Sequence, residues 1–212
     1  MGEEGGLSRG DVLIKGAAGA GALYGLGALG PHVRRALAKT ESELETLNFL
    51  LWFEYMQATL YGRGNSEVND KKEKLPLKPD EKALMELLLE QERQHIGAMR
   101  KLIEKLGGKP KKEDKSEFSF AFRFNETLYV IAEVVEGAAI GAYNGAIPLL
   151  KSEEARELAS SIVQVEGRHA AMVTAPFHGQ PAPEAFNLGL TQESAIVYTV
   201  QYTAALLKGT FK

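Results

Sequence analysis

The sequence has no cysteine. That excludes a disulfide framework, a thiolate metal site, an iron–sulfur cluster and a catalytic thiol, so any metal chemistry falls to carboxylate and imidazole. An excess of positive charge is also missing: 25 Lys+Arg stand against 28 Asp+Glu, a formal net charge of −3. Such a balance supplies no basic surface to track a phosphate backbone, so nucleic acid is not an expected partner. Long hydrophobic runs are lacking too. The Gly/Ala-rich uncharged stretch, residues 16–30, would reach about 22 Å as a helix against a hydrocarbon layer of about 30 Å, and no stable transmembrane span is expected. What remains is 212 residues, 44% of them apolar, enough for one globular domain with a real core.

Ten of the 22 glycines fall within residues 1–30. The uncharged Gly/Ala run follows Arg9 and Lys15 and precedes Ala36-Leu37-Ala38, which reads as an export signal with a small-x-small cleavage site. Ser8-Arg9-Gly10-Asp11-Val12-Leu13-Ile14-Lys15 resembles a twin-arginine signal, but Gly10 stands where the second arginine belongs. The alternative is a retained Gly/Ala-rich arm packing on a partner subunit. Residues 1–38 are thus a signal or an arm, and the expected location is exported (periplasm, envelope or extracellular) rather than cytoplasmic.

Downstream, proline punctuates the chain, because a helix interior rejects it at about 3 kcal/mol. The long windows between Pro31, Pro76, Pro79, Pro110, Pro148 and Pro176 each read as a helix. Thr40-Glu41-Ser42-Glu43 reads as a capping box opening the first, which should run to about Tyr61 and end at Gly62 and Gly64. Asp80 should cap a second that stops at Gly107-Gly108. A third should start near Asn125 and end near Pro148, and a fourth should run from Ser152 to just before Pro176. A short fifth helix is expected from about Gln192 to Leu207. No stretch alternates with period 2 long enough for a sheet. The Lys-rich loops at 62–79 and 107–123 read as solvated connections. The expected domains are a bundle over 39–177 and a C-terminal extension over 178–212.

Four glutamates break the usual pattern. Residues at i±3, i±4 and i±7 share a helix face. On that test Glu54 lies among Leu47, Leu50, Leu51, Gln57, Ala58 and Tyr61; Glu92 among Met85, Leu88, Leu89, Ile96 and Met99; Glu136 among Tyr129, Ala132, Ala139, Ile140 and Tyr143; Glu166 among Ala159, Ile162, Val163, Ala170 and Val173. A lone buried carboxylate costs several kcal/mol or takes up a proton. Here one sits on each of four helices, and two carry a histidine three residues on, His95 and His169. One Glu from each of two helices and Glu-x-x-His from each of the other two is the dinuclear carboxylate site of four-helix bundles. Two divalent cations would balance the four carboxylates, and Glu136 with one Glu of the Glu-x-x-His pairs would bridge them.

The spacing places the four at a common level. Asp80 to Glu92 and Phe124 to Glu136 are both 12 residues, so helices two and three are level if parallel. That needs a crossover that the 107–123 loop can span; a simple up-down-up-down order is the alternative. Glu133 has a wetter face and ranks as a neighbour of the site rather than a ligand. His32 and His178 read as surface histidines. Trp52, Phe49 and Phe53 read as core. Tyr61 and Tyr143 lie on the ligand stripes, where packing accounts for them and a hydrogen bond to a carboxylate or a redox relay is the alternative.

Leu47-Asn48-Phe49-Leu50-Leu51-Trp52-Phe53-Glu54-Tyr55, Glu92 to His95, Glu136 to Ala146 and Glu166-Gly167-Arg168-His169-Ala170-Ala171 resemble the ferritin-like superfamily. The likeness is to the group of plant desiccation-related and bacterial exported ferritin-like proteins, over about residues 40–205. The resemblance implies an all-α ferritin-like four-helix bundle with a long crossover between helices 2 and 3 and a short C-terminal helix. It also implies metal ligands Glu54, Glu92, His95, Glu136, Glu166 and His169. The absence of cysteine separates the chain from rubrerythrins, which add a thiolate iron centre. The expected activity is that of a di-iron oxidoreductase of ferroxidase type, with Fe(II) and dioxygen or peroxide as partners and a homo-oligomeric assembly. Manganese with a catalase-like reaction, or a stress or structural protein stapled by its metal pair, are the alternatives.

Overall fold

The computed structural model describes residues 42–65, 77–115, 118, 120, 125–178, 187, 189–197 and 199. The chain divides between Glu41 and Ser42, and everything described lies in the second unit. The signal or arm, His32 and the lysines at 71, 72 and 74 lie outside the described residues.

Four long helices make up the described part: α1 (Glu43–Asn65), α2 (Pro79–Lys105), α3 (Asn125–Ala146) and α4 (Glu153–His178). A 3-10 turn, Ile147–Leu149, closes α3, residues 192–197 are helical again, and no strand occurs among the described residues. The expected all-α architecture is the one observed.

The helix ends are set by local chemistry. At α1 the capping box is Ser42 with Glu45: the Ser42 N–H donates to Glu45 Oε2 at 2.7 Å and the Glu45 N–H to Ser42 Oγ at 3.2 Å, while Thr40 of the expected box lies outside the described residues. Glu43 serves another helix, accepting from the amides of Lys151 and Ser152 at 2.7 and 2.6 Å. At α2 the first helical residue is Pro79 rather than a residue after Asp80, and the Glu81 carboxylate takes the Lys78 N–H at 2.7 Å. Its other end is a Schellman turn, with Gly107 at φ 79° and Gly108 N–H bonded to Ile103 O at 2.8 Å.

Two expected stops do not stop their helices. α1 runs through Gly62 and Gly64 to Asn65, and Gly64 serves close packing there: a Cβ at Gly64 would meet Leu128 at 3.0 Å and Met85 at 3.5 Å, whereas one at Gly62 would only touch Leu89 at 3.9 Å. α4 runs through Pro176 to His178, which is therefore a helix residue and not part of a turn. Pro176 falls in the last turn and is exposed, where loss of one N–H bond is cheapest.

Contacts at the helix ends fix the topology. The end of α1 (Gly64) meets the starts of α2 (Met85) and α3 (Leu128). The start of α1 (Glu43) meets the α3–α4 connection, and Lys105 at the end of α2 pairs with Glu154 at the start of α4 at 2.7 Å. Helices α2 and α3 are therefore parallel and joined by a long crossover. α1 packs on α2 and α3, and α4 on α3 and α2, so α2 and α3 are diagonal. The crossover is more than a solvated loop. Asn48 holds the amide of Lys111 at 2.6 Å, Tyr55 Oη donates to Lys111 O at 3.0 Å, and the buried Phe118 ring packs on Trp52 at 5.3 Å. The crossover lysines 109, 111, 112 and 115 are exposed, as expected.

Among the described residues, Thr127–Leu149 is the one segment long and apolar enough to cross a membrane, with mean hydropathy 1.2, and 67% of that window is buried inside the bundle. It is the core helix of the fold.

Beyond α4, Leu190 lies on α3. Its N–H donates to Gly141 O at 2.7 Å, and a Cβ at Gly145 would fall 1.9 Å from Leu190 O. Alanine at 145 must therefore push this segment away. Gly145→Ala is expected to cost about 1–3 kcal/mol in denaturant unfolding. Gly137→Ala, where a Cβ meets nothing within 4 Å, should gain about 0.5–1 kcal/mol by helix propensity. Equal effects of the two would contradict the close approach.

Candidate metal centre

The four stripe glutamates meet in the middle of the bundle. Glu54, Glu92, Glu136, Glu166 and His169 have no exposed surface, and His95 keeps 9%. Each arrives from a different part of the fold: Glu54 from α1, Glu92 and His95 from α2, Glu136 from α3, Glu166 and His169 from α4. The three-residue spacing puts each Glu-x-x-His pair on one helix face. Around them pack apolar side chains with no polar atoms to offer, including Leu50, Phe53, Leu88, Met99 and Ala139, all fully buried.

Two overlapping groups result. Ligand atoms of Glu54, Glu92, His95 and Glu166 lie within 4.8 Å of one another, and so do those of Glu92, Glu136, Glu166 and His169. In the first, His95 Nδ1 stands 3.1 Å from Glu54 Oε2, Glu92 Oε2 and Glu166 Oε1. In the second, His169 Nδ1 is 2.9 Å from Glu92 Oε1, 3.6 Å from Glu166 Oε2 and 4.0 Å from Glu136 Oε2. Glu92 and Glu166 belong to both. The carboxylates common to both groups are thus the two of the Glu-x-x-His pairs, and Glu54 and Glu136 each belong to one group, an arrangement that favours Glu92 and Glu166 over Glu136 as candidate bridges. Glu133, half-buried, joins neither.

The donor set fits divalent transition metals. Three buried atoms of the centre, Glu92 Oε1, Glu166 Oε1 and His169 Nδ1, have no hydrogen-bond partner, and such atoms are costly unless a cation or proton serves them. Hard carboxylate oxygens with imidazole suit iron and manganese. His169 Nε2 stands 2.7 Å from Gln91 Oε1, a bond that keeps a proton on Nε2, so that Nδ1, which faces the carboxylates, is the nitrogen that would give up its proton to a metal.

Outside the six, the neighbours are polar by design of position. Tyr61 donates to Glu136 Oε1, and Tyr143 to Glu54 Oε1. Each tyrosine lies seven residues after the glutamate of its own helix and reaches the glutamate of the other. Gln57, fully buried, donates through Nε2 to Glu136 Oε2 at 3.0 Å and to Glu166 Oε2. The carboxylate bonds of Tyr61 and Tyr143 decide between the two roles weighed from the sequence, and Gln57 and Gln91 were missed. Gln57 sits on the Glu54 stripe and was open to notice; Gln91 falls off the i±3, i±4 pattern.

Protons gather here. Burial, with the Glu166 charge, raises Glu54 to about 8, and burial with the Glu166 and Glu92 charges pushes Glu136 well above the carboxylate range. Burial disfavours a charged His95, but its bonds to Glu166, Glu54 and Glu92 outweigh this and raise it to about 12. For His169 the same contest, between burial and the adjacent Glu166 and Glu92 carboxylates, ends at about 9. Glu166 goes the other way: burial raises it, but the two histidines outweigh burial and hold it at about 2.

The consequence for pH follows. Glu54, Glu136 and both histidines bind protons more tightly folded than unfolded, so each supports folding below its unfolded value and ceases to as the pH rises through its folded value. Glu166 acts oppositely, only as the pH falls from about 4.5 toward 2. The metal-free protein should therefore lose stability as the pH rises from about 5 to 9, and a cation that replaces these protons should stabilise more at high pH. Thermal scans with and without Mn(II) should show a larger rise in Tm at pH 8.5 than at pH 6. Equal rises would contradict the assignment.

The family model for the ferritin-like domain matches residues 42–177, which holds all four helices and all six residues. The chain belongs to the ferritin-like domain family. A search of curated proteins gives no match. A ferritin-like bundle with a Glu/His cluster at its centre is accordingly a candidate metal-binding protein by both fold and site.

Proposed function

We propose that this ferritin-like protein holds two iron ions at Glu54, Glu92, His95, Glu136, Glu166 and His169, and oxidises Fe(II) with dioxygen or peroxide. The observation that carries the reading is the pair of buried groups sharing Glu92 and Glu166: two positions joined by two carboxylates, in a core that admits no bulk water. A pair of Fe(II) ions supplies two electrons to the oxidant. The chain's own part is to hold four carboxylates against their mutual repulsion, to anchor Glu54 and Glu136 through Tyr143 and Tyr61, and to present one edge to solvent at His95.

Anaerobic loading with Fe(II) followed by air should produce near-ultraviolet Fe(III) absorption, absent from the Glu92→Ala, His95→Ala double variant. A loaded protein inert to air and to peroxide would sink the enzyme reading and leave a structural metal pair. The same hard donors favour manganese as the second reading; Mn(II)-loaded protein that evolves oxygen from peroxide would select it.

A further inference from the structure

The centre is built on an internal two-fold. Glu54 and Tyr61 on α1 match Glu136 and Tyr143 on α3 at the same seven-residue spacing, and Glu92-x-x-His95 on α2 matches Glu166-x-x-His169 on α4. The tyrosines obey it by crossing, Tyr61 to Glu136 and Tyr143 to Glu54. Two side chains break it. Gln57, three residues after Glu54, corresponds to Ala139, three after Glu136. Gln91, one residue before Glu92, corresponds to Val165, one before Glu166. Neither Ala139 nor Val165 can hydrogen-bond through its side chain.

Both glutamines serve the same half. Gln57 donates to Glu136 Oε2 and Glu166 Oε2, which lie 4.0 and 3.6 Å from His169 Nδ1, and Gln91 Oε1 fixes the His169 ring through Nε2. In that half His169 Nδ1 makes no hydrogen bond of good geometry, its nearest carboxylate oxygen being Glu92 Oε1 at 2.9 Å, and the histidine is fully buried. In the other half His95 Nδ1 is already hydrogen-bonded to Glu54 and Glu92, bonds that a cation must replace, and His95 alone of the six residues reaches the surface.

We infer that the two positions are inequivalent: the Glu136/His169 position is the tight, retained one, and the Glu54/His95 position is the exchangeable one through which the metal substrate enters and leaves. Gln91 and Gln57 are the positioning residues that set this order. Partners outside the ligands orient imidazoles and carboxylates before the metal arrives, and their loss typically costs 10–100-fold in affinity. This rests on the metal-binding reading above.

The test is anaerobic titration of the full-length, metal-free protein with Co(II), followed by calorimetry and visible absorption. Wild type should bind two equivalents in separate steps, the second at least about 10-fold weaker. His95→Ala should lose the weak step and keep the tight one. Gln91→Leu should weaken the tight step by about 10–100-fold with the weak step little changed, and Gln91→Glu, which keeps an acceptor, should restore it. Val165→Gln, which places an amide at the position corresponding to Gln91 where valine can accept nothing, should tighten the weak step. Two equal steps in wild type, or a Gln91→Leu loss shared equally by both, would overturn the inequivalence. No Co(II) binding to folded wild type would instead refute the metal centre itself.

Discussion

Replacing Glu92 and His95 together by alanine is expected to abolish metal binding at both positions. Glu92 offers Oε2 to the group with Glu54 and His95 and Oε1 to the group with Glu136 and His169, so its loss strips a ligand from each, and His95 is the only imidazole of the first. Losing a partner outside the ligands costs about 10–100-fold; losing a shared ligand and a histidine should exceed the top of that range at the Glu54/His95 position. Equilibrium dialysis against Fe(II) or Mn(II) checks it, with helical circular dichroism as the control for folding. The fold should survive, because removing members of a buried charge cluster also removes their desolvation cost. Exposed Glu90, on the outer face of the same helix, gives the comparison: Glu90→Ala should leave binding unchanged. A double variant that still binds two equivalents would show the metal to be elsewhere.

Metal loading should also raise thermal stability by a large step. A cation that binds only the folded chain at about 1,000 times its Kd adds about 4 kcal/mol, and 1 kcal/mol moves Tm by about 2–4 °C in a chain of this size. One retained ion thus predicts a rise of about 8–16 °C, and a second adds to it. The increment is this large because the centre is costly when only protons serve it: four carboxylates crowd a core where burial raises Glu54 and Glu136. Scanning calorimetry before and after chelation measures the shift. A Tm that stays within about 2 °C would mean that the folded state gains nothing from the ion.

The central features were legible because they violate the ordinary rule that glutamate faces water. A Glu with apolar residues one turn above and below has no other place to go, and four such stripes from four helices must meet. The equal 12-residue offsets favoured parallel α2 and α3 but left an up-down-up-down order open, and the contacts at the helix ends decide it. Other features were hidden for physical reasons. Gly62 and Gly64 look like helix stops, and only the nearness of Leu128 to Gly64 shows that the second is a spacer. Which carboxylates are shared depends on α2 and α4 packing side by side, which spacing within one helix does not encode. Ser42 and Thr40 offer the same hydroxyl chemistry, and it is Glu45 reaching back to Ser42 that marks the box. Gln91 lies on the flank of its helix, so its bond to His169 exists only because α4 packs alongside.

The account stands on two ions sharing Glu92 and Glu166, and anomalous X-ray diffraction from crystals loaded anaerobically with Fe(II) tests this most directly. It should show two peaks about 3.5–4 Å apart, one beside Glu54 and His95, the other beside Glu136 and His169, with both carboxylates of the Glu-x-x-His pairs reaching both. A single peak outside these six residues, or none in crystals of folded protein at saturating iron, would contradict it.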